Sequence, residues 1–182
     1  NPLSVASGHL ELLEGDVPAD RLEPIERSHA RMGEIVEDLL TLARTGDAVT
    51  DPERVDLGAL AREAWSGVTT GEARLAVETD AIVEADRSRL MKLFENLYRN
   101  AAEHCGGTVE VTVGETAGGF FVADDGPGLP ADEQGDVFEY GYTTAEDGTG
   151  FGLAIIEEIA EAHDWTIAVG ESETGGTRFE FG

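Results

Sequence analysis

Three glycines alternate along the segment GTGFGLAIIEEIA, at Gly148, Gly150 and Gly152, and a helical pattern follows at once. Glycine costs about 1 kcal/mol relative to alanine inside a helix, so glycines at its start indicate a close approach of another group to the backbone. A helix N-terminus offers free N–H groups and the positive end of the dipole, which favour phosphate. The segment is not a P-loop, since Lys92 is the only lysine, and it is not a dinucleotide fingerprint, since Leu153 replaces the third glycine.

A second candidate set lies in RSRLMKLFENLYRNAAEHCGG, where Asn96, Asn100 and His104 are four residues apart. In a helix this spacing puts the three side chains on one face. An asparagine oxygen suits Mg²⁺, which takes oxygen ligands. A solvent-facing polar stripe explains the same pattern equally well.

A third candidate is FVADDGPGLP, in which a β-type run ends at Asp124 and Asp125 and is followed by Gly126 and Gly128. These are turn residues, so a strand-ending turn is the simple interpretation. The functional interpretation is that Asp124 accepts a hydrogen bond from a ligand amino group, while the glycines let the ligand ring approach the backbone.

Regular elements must hold these segments in place. Apolar periodicity predicts helices at 57–65 (with Asp56 as N-cap), 87–103 and 153–162, and a short helix near Val137–Phe138. Alternation predicts strands within 75–84, 109–113 and 120–123, and a closing hairpin of 166–169 and 177–181. Because strands and helices do not alternate regularly, we predict an α+β fold, an α/β sandwich with a mixed sheet and helices on one face.

The apolar periodicity of residues 1–46 predicts a helical hairpin. One apolar stripe runs from Leu3 to Leu13, and a second runs from Ile25 to Leu42 on a helix that we expect to start near Pro24. A unit of this size cannot bury both stripes alone, so we predict half of a dimeric four-helix bundle. Packing of the hairpin only on its own chain remains the alternative. Residues 47–56 are predicted to be a polar linker before a domain at 57–182.

The charge is strongly acidic, with 38 acidic against 12 basic residues and a net charge of −26. Such a surface excludes nucleic acid as a partner, because phosphate binding needs cations. It favours an origin in a high-salt cytoplasm, an acidic protein of an ordinary cell being the alternative. Cys105 stands alone and fits an intracellular compartment. The chain shows no signal peptide and no apolar run long enough for a membrane span, and since it begins at Asn1 we expect a fragment.

Taken in order, these motifs resemble the ATP-binding domain of sensor histidine kinases, which belongs to a wider ATPase family with gyrase, the Hsp90 chaperones and MutL. NLYRNAAEH is similar to the Asn box, DDGPG to the first glycine box, VFEYGYTT to the Phe-containing box and GTGFGLAI to the second glycine box. TGGTRFEF is similar to the closing hairpin, and NPLSVASGHLELL to the segment after the phosphoacceptor histidine in the dimerisation hairpin. Gyrase, chaperone and repair ATPases lack that hairpin.

The resemblance implies a role for each matched position. It makes Asn100 the catalytic Mg²⁺ ligand with Asn96 as its polar neighbour, and it assigns recognition of the adenine amino group to Asp124. His104 stands where an aromatic residue often lies near the nucleotide, and Thr177 lines the adenine pocket. The other implied ATP-binding residues are Gly126 and Gly128, which shape the pocket, and Gly148, Thr149, Gly150, Phe151, Gly152 and Leu153, at the end of a lid over roughly residues 141–150.

Two departures from the family pattern stand out. Asn1 and Pro2 match only the end of the motif His-acid-x-x-Asn-Pro, so we expect the phosphoacceptor histidine upstream and this chain unable to phosphorylate itself. The resemblance also implies that Asn1 serves dephosphorylation of the response regulator. Between Arg99 and Arg178 there is no lysine or arginine, and Glu103 occupies a position that is often basic in the family. We therefore expect weak nucleotide binding at low salt.

The sequence thus predicts the ATP-dependent core of a protein histidine kinase with ATP and Mg²⁺ as its cofactors. Phosphoryl transfer would run to a histidine and then to a response-regulator aspartate, in a cytoplasmic homodimer formed through the hairpin. The alternative is a non-catalytic nucleotide-binding or partner-docking module of the same fold.

Overall fold

The computed structural model describes residues 2–13, 17–45, 48–104, 108–129, 138 and 150–182. The helices are α1 (Pro2–Leu13), α2 (Ala19–Thr45), α3 (Leu57–Gly67), α4 (Arg87–His104) and α5 (Gly152–Ala162). The strands are β1 (Glu53–Asp56), β2 (Arg74–Glu78), β3 (Ile82–Ala85), β4 (Glu110–Glu115), β5 (Phe120–Asp124), β6 (Ile167–Glu171) and β7 (Thr177–Phe181). The predicted short helix near Val137–Phe138 falls, apart from Phe138, outside these residues.

A five-stranded sheet with the order β2-β4-β5-β7-β6 forms the centre of the C-terminal part. β2 and β4 run parallel, and the other neighbours run antiparallel, so the sheet is mixed. Helices α3, α4 and α5 cover one face of it and share a core with the inward-facing strand residues. The predicted fold class is confirmed: a helical N-terminal part followed by an α/β sandwich.

Large aromatic and aliphatic side chains fill the space between helices and sheet. Phe94 and Tyr98 of α4 stack with ring centroids 5.7 Å apart, and Phe120 stacks on Phe181 across the sheet at 4.8 Å. The Tyr98 hydroxyl donates to the Ala61 carbonyl at 3.2 Å, and burial raises the pKa of Tyr98. Each such side chain contributes about 1.5–3 kcal/mol by leaving water, so the core fixes how α4 and α5 lie over the strands.

The predicted start of the second helix at Pro24 was wrong, because α2 begins at Ala19 and contains Pro24. Its first turn closes on Pro18, whose carbonyl accepts from the N–H groups of Arg21 at 2.9 Å and Leu22 at 3.3 Å. Leu22 is only 5% exposed. Burial of this leucine offsets the helix hydrogen bond that proline cannot donate.

The predicted linker also ends earlier than expected, since Glu53–Asp56 form β1, which pairs antiparallel with β3. The segment is mostly polar because β1 exposes all its residues except Val55. Asp56 then caps α3 as predicted, its Oδ1 accepting from the Ala59 N–H at 2.8 Å. The α/β unit therefore begins at Glu53.

Helix α2 has two faces with different surroundings. One face packs on α5, and Leu42 joins the core of the α/β unit. On the other face a row of apolar side chains stays exposed, and α1 adds further exposed apolar side chains. This exposed stripe comprises Ile25, Met32, Val36 and Leu39 on α2 and Val5 and Leu12 on α1. Packing on the same chain thus satisfies one face of α2 and leaves the stripe uncovered.

His163 joins the end of α5 to the start of α4. Its Nε2 accepts from the Asp86 N–H at 2.9 Å, so Nδ1 carries the proton and donates to the Ile159 carbonyl at 2.7 Å. The ring stacks on Trp165 with centroids 4.3 Å apart. Burial lowers the pKa of His163, and Arg89 lowers it further, against the opposing effects of the Ile159 hydrogen bond and Asp86. Protonation of Nε2 would place its N–H against the Asp86 N–H, so this hydrogen bond requires the neutral ring.

Stability should therefore depend on pH through His163. Since the unfolded chain binds this proton near pH 6.5 and the folded protein binds it only at lower pH, the free energy of unfolding falls as pH drops through this window. Denaturant unfolding of His163→Gln between pH 5 and 8 should give a flatter profile and about 1 kcal/mol lower stability at pH 8. Exposed His9, changed to Gln, is the control. Equal pH slopes for wild type and His163→Gln would contradict this assignment.

Candidate nucleotide site

Two asparagines of α4 face the N-terminus of α5. A Cβ added to Gly152, the first residue of α5, would lie 3.4 Å from Asn100 Oδ1 and 3.5 Å from Asn96 Oδ1. The structure thus brings together three of the predicted site residues, on two helices that the core packs side by side. Glycine at 152 keeps the space between these amides and the helix end open.

The two asparagine amides differ in how they are satisfied. Asn96 is 2% exposed, and its Nδ2 donates to the Lys92 carbonyl at 2.9 Å. Asn100 Nδ2 is buried and has no hydrogen-bond partner among the described residues. A buried unsatisfied donor costs about 1–3 kcal/mol, so Asn100 is held in its place at a cost that folding alone does not explain. Among the described residues its Nδ2 is therefore the donor of the pair that a ligand acceptor can still engage.

The start of α5 is arranged for a close approach. Gly150 has φ +72°, in the left-handed region that favours glycine. Phe151 occupies the N-cap position without a side-chain cap hydrogen bond, and its carbonyl accepts from the Ile155 N–H at 2.9 Å. Helix N-termini of this kind attract anions through their N–H groups and dipole. The predicted helix start is formed here, with Leu153 in its first turn, and its role in phosphate binding stays a prediction.

Asp124 is the centre of a second cluster, where β5 ends beside β7. Its Oδ1 accepts from the N–H groups of Gly126 at 2.9 Å and Thr177 at 3.1 Å. Both of these hydrogen bonds end on Oδ1, and a carboxylate has further acceptor sites. The carboxylate is thus fixed in orientation and still able to accept from a ligand amino group.

Bare backbone packs around Asp124. A Cβ on Gly176 would lie 2.2 Å from the Asp124 carbonyl oxygen and 2.4 Å from its Oδ1. Gly128, with φ +73°, lies so close to the closing hairpin that a Cβ there would be 2.9 Å from the Gly175 oxygen. The first glycine box and the hairpin before β7 therefore form one cradle without intervening side chains.

Two members of this cluster were missed in the sequence. Ser172, 7% exposed, donates from Oγ to the Asp124 carbonyl at 2.7 Å and accepts from the Gly176 N–H at 2.9 Å. The tandem glycines before Thr177 were the available signal for Gly176. A lone serine in ESETGG gave none, because only the fold brings it beside residue 124.

Several predicted site residues fall outside the described part of the chain: Asn1, Gly148, Thr149, the rest of the 141–149 lid, and the His104 side chain. Their roles stay predictions. Within the described residues, no group of three or more His, Cys, Asp or Glu side chains is placed to hold a metal ion.

The nearest arginine in sequence to the Asp124 cluster does not serve it. Arg178 follows Thr177 on β7, and successive strand residues point to opposite faces. Its guanidinium lies 3.6 Å from the centroid of the Phe121 ring and donates to Glu180 at 2.6 Å. The cluster thus has a carboxylate and backbone groups but no cation from β7.

Comparison with known proteins identifies the family. The pattern described as histidine kinase-, DNA gyrase B- and HSP90-like ATPase matches residues 85–182. The chain belongs to this ATPase family. The pattern of the His Kinase A (phospho-acceptor) domain matches residues 1–48, so the domain composition is that of a sensor histidine kinase core. Among the described residues, no helix has the length and apolar character to cross a membrane.

Curated relatives support the same family. This chain is 32% identical to the sensor histidine kinase ZraS of Escherichia coli O157:H7, in an alignment that covers 98% of this chain and 42% of ZraS. It is 36% identical to the C4-dicarboxylate transport sensor protein DctB of Rhizobium meliloti over 88% of this chain and 28% of DctB. The chain thus spans less than half the length of either relative.

A solved structure shows the same arrangement. Full-length ShkA in complex with AMPPNP matches 99% of this kinase core and 42% of the ShkA chain, with a TM-score of 0.73 and 29% identity. Our expectation that a missing histidine prevents autophosphorylation is not borne out, because the phospho-acceptor pattern matches from residue 1.

Proposed function

We propose that this chain binds ATP with Mg²⁺ and serves the phosphoryl transfer of a two-component sensor histidine kinase. The observation that carries the proposal is the Asn100 amide, which faces the start of α5. Its buried Nδ2 has no hydrogen-bond partner among the described residues and can donate to a phosphate oxygen, whereas its Oδ1 is the atom that can bind a cation. The oriented Asp124 carboxylate supplies the second recognition element. In this proposal Asp124 accepts from the adenine amino group, and the N–H groups of α5 receive the phosphates.

The residues present fit a magnesium ion. Mg²⁺ takes oxygen ligands and retains several waters, so it needs few protein groups. Asn100 would hold it, with Asn96 as a neighbour whose Nδ2 is already bonded. The ion would supply charge neutralisation at the phosphates, on which phosphoryl transfer mainly depends. The chain's own part is to orient the nucleotide through Asp124 and the start of α5, where glycines leave room for its approach.

The exposed stripe supports a homodimer through the hairpin. Its spacing along α1 and α2 suits a four-helix bundle formed with a second copy, and isolated hairpins rarely bury enough surface alone. Sedimentation that shows only monomers across the concentration range would contradict this.

A response-regulator receiver domain is the proposed acceptor of the phosphoryl group, which requires a cytoplasmic location. We assign residues 1–46 to the dimerisation domain and, with β1 included, residues 53–182 to the ATP-binding domain.

The acidic composition supports a proposal that the protein works in concentrated salt. With a net charge of −26 and no cation from β7 in the site, low ionic strength leaves the triphosphate facing unscreened negative charge. The affinity for Mg·ATP is therefore expected to rise as KCl is raised toward molar concentration.

Calorimetry with ATP and GTP, with and without Mg²⁺, measures this effect. We expect ATP to bind and GTP to bind more weakly, because Asp124 is an acceptor and guanine presents a carbonyl at the matching position. Potassium glutamate in place of KCl controls for the anion. A steady fall of ATP affinity with added salt would contradict the charge argument, and no binding of ATP under any condition would contradict the proposed function.

A further inference from the structure

A buried charged contact joins helix α2 to helix α4. Asp38 of α2 is 1% exposed, and its Oδ1 lies 3.8 Å from Lys92 Nζ, the two side chains being 2% and 19% exposed. Charged side chains are almost never buried this deeply unless they are paired. In a chain with 38 acidic residues, the only lysine is placed here.

The apolar contacts of α2 do not select one register of this helix by themselves. Helix α2 packs along α5, and its Leu42 joins the core. Apolar side chains tolerate a shift of one helix along another, since their attraction is not directional. A buried carboxylate tolerates such a shift less well, because its attraction to a cation weakens as the two groups move apart.

The same helices form the nucleotide site. The Lys92 carbonyl accepts from Asn96 Nδ2 one turn later on α4, and Asn96 and Asn100 face Gly152 at the start of α5. Helices α4 and α5 are thus both the surface on which α2 docks and the walls of the phosphate end of the site. A contact that fixes α2 on them fixes the site relative to the hairpin.

We propose that Asp38 and Lys92 form an inter-domain latch, which holds the ATP-binding domain on α2 in one register. The pair is a positioning device: it sets the resting orientation of the nucleotide site relative to the phospho-acceptor hairpin. The proposal deepens the proposed function and rests on it, because only a kinase core must carry a phosphoryl group from one of these domains to the other.

Distance measurement by pulsed electron paramagnetic resonance tests the latch in the whole chain. Spin labels replace exposed Arg27 on α2 and exposed Ala168 on β6, with Cys105 changed to serine and excess unlabelled chain added to isolate intramolecular distances. The unmodified pair should give one narrow distance peak. Lys92→Gln and Asp38→Asn should each raise the displaced population at least about tenfold, whereas Lys92→Arg keeps the cation and restores the narrow peak.

The matched control is Glu63→Gln, which breaks the exposed ion pair between Glu63 and Arg87 inside the ATP-binding domain and should leave the peak narrow. The double variant Asp38→Asn/Lys92→Gln should raise the displaced population no further than the stronger of the two single variants does. Narrow peaks in both single variants, or strictly additive effects, would overturn the latch. Circular dichroism and ATP calorimetry on the same samples separate the outcomes. Retained ATP binding with unchanged distances refutes only the latch, and absent ATP binding with displaced distances refutes only the proposed function.

Discussion

Replacing Asn100 by alanine is expected to abolish Mg²⁺-dependent nucleotide binding while leaving the fold intact. Even outer-sphere partners of metal sites change affinity by about 10–100-fold, so loss of the proposed ligand should exceed about a hundredfold. The variant should be at least as stable as the wild type, because it removes a buried donor that has no partner among the described residues. Calorimetry with Mg·ATP and thermal unfolding of the same sample measure the two effects.

Ser88→Ala is the matched control, since Ser88 is exposed in the first turn of the same helix. It should change neither binding nor stability beyond about 0.5 kcal/mol. A lowered unfolding temperature together with full Mg·ATP affinity in Asn100→Ala would make Asn100 a structural residue. Unchanged binding would remove the magnesium assignment from α4.

Replacing Gly176 by alanine should disrupt the adenine end of the site. The added Cβ would lie 2.2 Å from the Asp124 carbonyl oxygen and 2.6 Å from the Gly126 nitrogen, and both are backbone atoms that no rotamer change can move. The hairpin must shift away from β5, which breaks the bond from the Thr177 N–H that orients Asp124. We expect at least about tenfold weaker ATP binding and a loss of about 1–3 kcal/mol of stability.

Gly170→Ala provides the comparison for this change. Gly170 lies on β6, and nothing stands within 4 Å of an added Cβ, so the same chemical change should be nearly neutral there. Binding of ATP to Gly176→Ala with wild-type affinity would show that the hairpin does not orient Asp124.

The sequence by itself determined the parts of this protein that depend on local periodicity. Helix α4 could be predicted because its apolar and polar faces repeat at helical spacing. Asp56 could be predicted as an N-cap because capping is a contact between near neighbours in the chain. The ordered glycine and asparagine motifs indicated a nucleotide site through their resemblance to the ATP-binding domain of sensor histidine kinases. Each motif is a short segment whose residue types limit its backbone.

Tertiary structure decided what depends on contacts between distant segments. Strand β1 was not predicted, because it buries only Val55 and therefore lacks a clear apolar pattern. Helix α2 begins at Ala19, before Pro24, because Leu22 in its first turns is buried. Ser172 contacts Asp124 across 48 residues, and Lys92 meets Asp38 only because α2 docks on the ATP-binding domain. The physical reason is that burial and pairing are properties of the packed chain, and no local pattern specifies which charged or polar side chain will be enclosed.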